Sequence, residues 1–153
     1  MDKITLLSEI RYAERLCQRT ARLYRRLQAT TVFMSVLGGS GVLSGLANAA
    51  PTWMPVAGGL LLAIFGAISL AVRPADKAAA NETDAKRYAQ LRTSANGMTD
   101  AELQLALDRA RESDAPEIDA LRDVAYNDMA VEIGREDAAI PLRAHQKLLS
   151  ALA

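Results

Sequence analysis

One cysteine, Cys17, and one histidine, His145, are all that 153 residues offer of those types. A lone cysteine cannot close an intramolecular disulfide, and with one histidine there is no ligand set at zinc-type spacing. No Gly-rich phosphate loop follows a strand pattern, and there is no nucleophile elbow. The sequence therefore reads as that of a non-enzyme that needs no cofactor and no metal. Cys17 falls on an apolar stripe and is expected to be packed; His145 is expected at the surface. The largest absence is of charge. Residues 27–72 contain no Asp, Glu, Lys, Arg or His, although the chain carries 18 basic and 18 acidic side chains.

A charge-free run of that length is too apolar for an ordinary water-soluble domain and too long for one membrane span. It breaks at Ala50-Pro51-Thr52-Trp53-Met54-Pro55. A bilayer core about 30 Å thick takes roughly 20 helical residues to cross, and the run supplies two such pieces, about 29–49 and about 54–72. Backbone groups in lipid must be satisfied internally, so a two-helix hairpin is the expected solution. No secretory signal peptide fits, because the first apolar run follows a long charged segment and a second run comes directly after it.

The charge that exists is unevenly spread. Residues 1–29 hold seven basic and three acidic side chains, and residues 73–153 hold eleven and fifteen. The two segments either form solvated faces or lie against each other. Residues 3–28 read as an amphipathic helix, with Leu6, Ile10, Ala13, Cys17, Thr20, Tyr24 and Leu27 on one stripe. Arg11, Arg15, Arg19, Arg22 and Arg26 lie on another face. Arg11 and Arg15 are expected to be solvated, whereas Arg22, Arg25 and Arg26 lie close enough to the first span to anchor it. Arg73 follows the second span, and the turn between has no basic residue. Under the positive-inside rule both termini are cytoplasmic, and Trp53 in the turn suits the opposite interface.

Within the spans, small residues recur. Gly38, Gly41 and Gly45 mark the first, and Gly59, Ala63, Ala67 and Ala71 mark the second at four-residue spacing. Small residues let helices approach closely in lipid, and two helices alone leave part of that surface unused, so a homo-oligomer is expected. The absence of an ionisable group inside the spans disfavours a proton-coupled transporter. Ser35, Ser40, Ser44, Asn48 and Ser69 are the polar groups available to line a pore.

After Arg73-Pro74 the composition is that of a soluble helical protein. A helix is expected over 76–94, and Thr99-Asp100-Ala101-Glu102 reads as a capping box opening the next. Ser113-Asp114-Ala115-Pro116-Glu117 reads as a further helix start, its stripe being Ile118, Leu121, Ala125 and Met129. A last helix is expected over 142–152. The acidic pairs Asp119 with Asp123 and Asp128 with Glu132 are expected on solvated faces. The expected fold is thus an all-α membrane protein. It has an N-terminal amphipathic helix (1–28), a transmembrane hairpin (29–72) and a cytoplasmic bundle of short helices (73–153).

This layout resembles the SLATT family of bacterial two-transmembrane proteins. Leu121-Arg122-Asp123-Val124-Ala125-Tyr126-Asn127-Asp128 and, upstream, Lys86-Arg87-Tyr88-Ala89-Gln90-Leu91 carry the resemblance over most of residues 5–135. It implies no catalytic residues. It implies an oligomeric effector of a bacterial conflict system, seated in the inner membrane, that perforates the membrane when a separate signalling or sensor protein is activated. The partners expected are the lipid bilayer, further copies of the chain and that sensor, with no nucleic acid. The alternative is a non-conducting anchor or scaffold that docks a partner through its acidic tail. A holin-like lysis protein is a third option, against which the long acidic tail counts.

Overall fold

The computed structural model describes residues 2–46 and 51–153, and among these described residues it holds six helices and three single 3₁₀ turns. Helix α1 runs from Lys3 to Leu46, α2 from Trp53 to Val72, α3 from Pro74 to Ser94, α4 from Asp100 to Arg111, α5 from Arg122 to Glu132 and α6 from Ala144 to Leu152. No strand is present among the described residues. Residues 47–49 of the expected first span, Asn48 among them, and Ala50 of the turn lie outside the described residues. Trp53 is the first residue of α2 rather than part of the turn, and it is largely exposed.

Helix α1 continues without a break from the amphipathic segment into the apolar one. Between residues 3 and 37 there is neither proline nor glycine to interrupt its hydrogen-bond ladder. At the other end of the apolar run a break is imposed. Pro74 disfavours helical backbone at the residue before it, and Arg73 adopts the left-handed region, with φ 50°. Its amide closes α2 on the Ser69 carbonyl at 3.1 Å.

The chain divides into two compact units, Met1–Leu23 with Lys77–Ala153 and Tyr24–Asp76. In the first, α1 packs on two sides. Leu6, Ile10 and Cys17 meet Ala85 and Tyr88 of α3 and Leu103, Leu107 and Ala110 of α4. Leu16 meets Leu121, Val124 and Ala125, with Ala153 closing the same cluster. The sequence had shown a single stripe on this helix. The second, built on Leu16 with Tyr12 and Leu23 beside it, exists because α5 and α6 need a partner too.

Local signals explain most boundaries here. The Thr99 hydroxyl accepts from the Glu102 amide and the Glu102 carboxylate accepts from the Thr99 amide, so the capping box forms as read. Gly134, at φ 73°, follows the end of α5 where a left-handed residue is needed. The expected helix start at 113–117 is not one. Asp114 to Pro116 lack regular structure, and α5 begins at Arg122 after a 3₁₀ turn, Asp119–Leu121. Asp84 takes the Ala115 amide at 2.8 Å, and the Tyr88 hydroxyl donates to Asp114, so tertiary bonds claim groups that a helix would have used.

In the second unit α1 and α2 lie against each other as a helical hairpin. Both α1 and α2 are long and apolar enough to cross a membrane, and only 6% of the most apolar stretch of the second is buried. At 1.5 Å per residue the 20 residues of α2 span about 30 Å.

Candidate functional site

The hairpin is sealed at one point by glycine. A Cβ placed on Gly38 would sit 2.6 Å from both the Gly58 carbonyl oxygen and the Leu62 amide nitrogen. One placed on Gly58 would sit 2.6 Å from the Gly38 oxygen and 3.0 Å from the Gly41 Cα. No side chain larger than hydrogen fits at either position without parting the backbones. Gly41 is nearly as tight, at 3.2 Å from the Gly58 Cα, and a Cβ on Gly45 would run into the Pro55 ring. The three glycines singled out in the first span therefore all lie in the hairpin seam. Their counterpart in α2 is Gly58, one residue away from the stripe that the spacing suggested. The spacing selects Gly59, and only the approach of α1 selects Gly58 instead.

Gly59, Ala63 and Ala67 occupy a different face. A Cβ on Gly59 would make only an ordinary 3.9 Å contact with Val42, and Ala63, Ala67 and Ala71 are exposed. The hairpin leaves this small-residue face open.

Past the seam, toward Thr31 on α1 and Ser69 on α2, the helices leave space between them. A Cβ on Gly66 would meet nothing within 4 Å. A groove of about 500 Å³ lies here, lined by Val32, Ser35, Val36, Leu62 and Gly66 among others. A second hollow of about 260 Å³ shares Val32, Ser69 and Leu70 with it and opens at Gln28, Arg73 and Asp76. The Thr31 hydroxyl is not available to the groove, because it donates to the Gln28 carbonyl at 2.9 Å. At the mouth, Arg73 Nη2 lies 2.7 Å from Asp76 Oδ2, with both side chains largely exposed. Of the other basic residues read as anchors, Arg22, Arg25 and Arg26 are exposed on α1, and Arg22 Nε reaches the Gln18 carbonyl at 3.4 Å.

The unit of residues 1–23 and 77–153 has its polar groups arranged as ties between helices. Arg15, expected to be solvated, donates to Glu132 from Nε at 2.9 Å and Nη2 at 2.7 Å. Arg19 grips Asp128 with two bonds, 2.7 and 2.9 Å, and reaches the Ser150 carbonyl at 3.2 Å. The pair Asp128 and Glu132 is thus not a free solvated face. It is the counter-charge to the arginines of α1, as the sequence allowed when it placed a basic segment and an acidic one in the same chain. Arg92 reaches Glu14 at 2.9 Å and Arg111 reaches Glu9 at 2.6 Å. Of the other acidic pair, Asp123 accepts from the buried Gln146 of α6 at 2.7 Å, and Asp119 lies 3.3 Å from Arg122. The role of Gln146 was not legible in the sequence.

A buried polar node lies between α3 and the segment after α4. Asp84 is almost wholly buried, held by Arg87 Nη2 at 2.5 Å and by the Ala115 amide. Burial raises the pKa of Tyr88 and, with the nearby Asp84 carboxylate, that of Asp114. Burial also pushes the Cys17 thiol up to about 12. That thiol is protonated at neutral pH and is not a nucleophile. His145 is exposed. Among the described residues no group of three or more His, Cys, Asp or Glu side chains could hold a metal ion. No family model matches the chain, and no curated protein or solved structure matches it either.

Proposed function

We propose that this chain is an oligomeric membrane protein whose hairpin crosses the bilayer twice and assembles with further copies into a pore or a pore that can be triggered. One observation carries the membrane part of the reading. In residues 24–76 the usual order of burial is inverted, with Phe33, Val36, Leu60, Ile64 and Leu70 exposed while Gly38, Gly41 and Gly58 are buried. Large apolar side chains facing outward cost about 25 cal/mol per Å² in water and nothing in hydrocarbon. The basic residues then set the orientation. Arg22, Arg25 and Arg26 precede the first span and Arg73 follows the second, placing both termini in the cytoplasm under the positive-inside rule.

Assembly is supported by the face of Gly59, Ala63, Ala67 and Ala71. In lipid, helices associate through close backbone approach, and this face offers it to a neighbouring copy because the hairpin seam does not consume it. With the resemblance to the SLATT family, the reading extends to an effector of a bacterial conflict system in the inner membrane, switched by a separate signalling partner.

The test is the native mass in nanodiscs, followed by conductance across a planar bilayer. A closed oligomer large enough to ring a central path, with measurable conductance, supports the pore. A monomer or dimer has too few helices to enclose water, and that result moves the function to a passive anchor or scaffold. Ala63→Leu on the open face should break the oligomer without parting the hairpin; unchanged oligomer mass would remove that face from the interface.

A further inference from the structure

We propose that the hairpin groove is a binding site for a single phospholipid, with an acyl chain between α1 and α2 and the phosphate at Arg73. The inference rests on the membrane reading above and deepens it by naming a ligand and its site.

The groove changes character along its length in the order that a phospholipid does. Its inner part is bounded by Val36 and Leu62, with Ser35 beside them and the bare backbone of Gly66 leaving room, so a slender apolar chain meets mostly apolar atoms. The next level carries the Ser69 hydroxyl, a donor at the depth where the ester carbonyls of a lipid would lie. The mouth carries the Gln28 amide and the Arg73 guanidinium. From Val36 to Gln28 is eight residues of helix, about 12 Å at 1.5 Å per residue. The two hollows share Val32, Ser69 and Leu70, so one continuous ligand can occupy both.

Charge complementarity selects the headgroup chemistry. The Arg73 side chain is largely exposed, and Asp76 takes up only part of its planar fork of donors. A phosphate is the lipid group that a guanidinium recognises best, through two parallel N–H···O bonds. The Asp76 carboxylate beside it competes for the same donors, which makes that residue a tuning group.

The experiment uses the full-length protein in mild detergent, with native mass spectrometry after titration by dioleoyl-phosphatidylglycerol or by dioleoylglycerol, which lacks the phosphate. The wild-type protein should retain one phosphatidylglycerol per chain, about fivefold more tightly than dioleoylglycerol. Arg73→Gln should erase that preference, and Asp76→Asn should enlarge it. Gly66→Leu, which fills the groove without a backbone clash, should lose both adducts while its circular dichroism stays helical. Gly39→Leu, at an open position outside the groove, should keep them. A full adduct on Gly66→Leu, or an unchanged preference in Arg73→Gln, overturns the proposal in favour of lipid coating the whole surface. A change of oligomer mass instead of lipid occupancy in Gly66→Leu overturns it in favour of a second copy in the groove. A protein that stays monodisperse after detergent removal fails the membrane reading itself. One that needs detergent but shows no groove-dependent adduct fails this inference alone.

Discussion

The two units of this molecule bury opposite kinds of residue. In residues 1–23 and 77–153 the interior is Leu6, Ile10, Tyr88, Leu103 and Leu107, and the charges around it are paired between helices. In residues 24–76 Gly38, Gly41 and Gly58 are buried, beside Thr31 and Pro74, and Phe33 and Leu70 are 62% and 81% exposed. The first pattern is what water selects. The second is the pattern an apolar surrounding favours, because exposed aliphatic surface then carries no cost. A single unbroken helix, α1, contributes to both units, and the residues it carries change from the first pattern to the second along its length.

That comparison can be broken most severely in the water-type core. Leu103→Ala removes a fully buried side chain and should cost about 2–5 kcal/mol, read as a lower urea midpoint for the helices of residues 77–153. A shift smaller than that of an exposed control such as Leu105→Ala would deny that Leu103 is core.

In the hairpin the sensitive change is in the opposite direction, from small to large. Gly38→Ala forces a methyl group against the Gly58 and Leu62 backbone, an overpacking cost of about 1–3 kcal/mol. Gly39→Ala, whose Cβ meets nothing, should be neutral or gain up to about 1 kcal/mol from helix propensity. Cross-linking between engineered cysteines on α1 and α2 distinguishes the two. Equal yields in both variants would deny the seam.

A smaller effect tests the paired charges of residues 1–23 and 77–153. The Arg19–Asp128 pair is bidentate, and its side chains are 19% and 28% exposed. A double-mutant cycle with Arg19→Ala and Asp128→Ala should return a coupling of about 1 kcal/mol that shrinks as salt is raised. Zero coupling at low salt would make the contact ornamental.

The least perturbing probe is Cys17. Its folded pKa is raised to about 12 by burial, so the fold favours the neutral thiol. That contribution is complete below the unfolded pKa and is lost as pH rises from there through about 12. Iodoacetamide at pH 8 should therefore label the folded protein far more slowly than the urea-unfolded chain. Fast labelling of the folded protein would place the thiol outside the core.

The limits of reading this chain follow the range of the forces involved. The charge-free run, the prolines at 51, 55 and 74, the capping box at Thr99 and the glycine at 134 act within a few residues. From them the sequence by itself determined most of the helices, the break before α3 and the apolar character of residues 27–72. Which glycine of the pair 58 and 59 faces α1, which arginines of α1 meet Asp128 and Glu132, and why residues 114–118 are not helical were decided by tertiary structure. In each case the cause is a partner far along the chain: a backbone across the hairpin, a carboxylate on α5, or Asp84 claiming the Ala115 amide. Local periodicity shows that a face is small, charged or apolar. Only packing decides what that face meets, because contact energy depends on atoms within about 4 Å regardless of their separation in sequence.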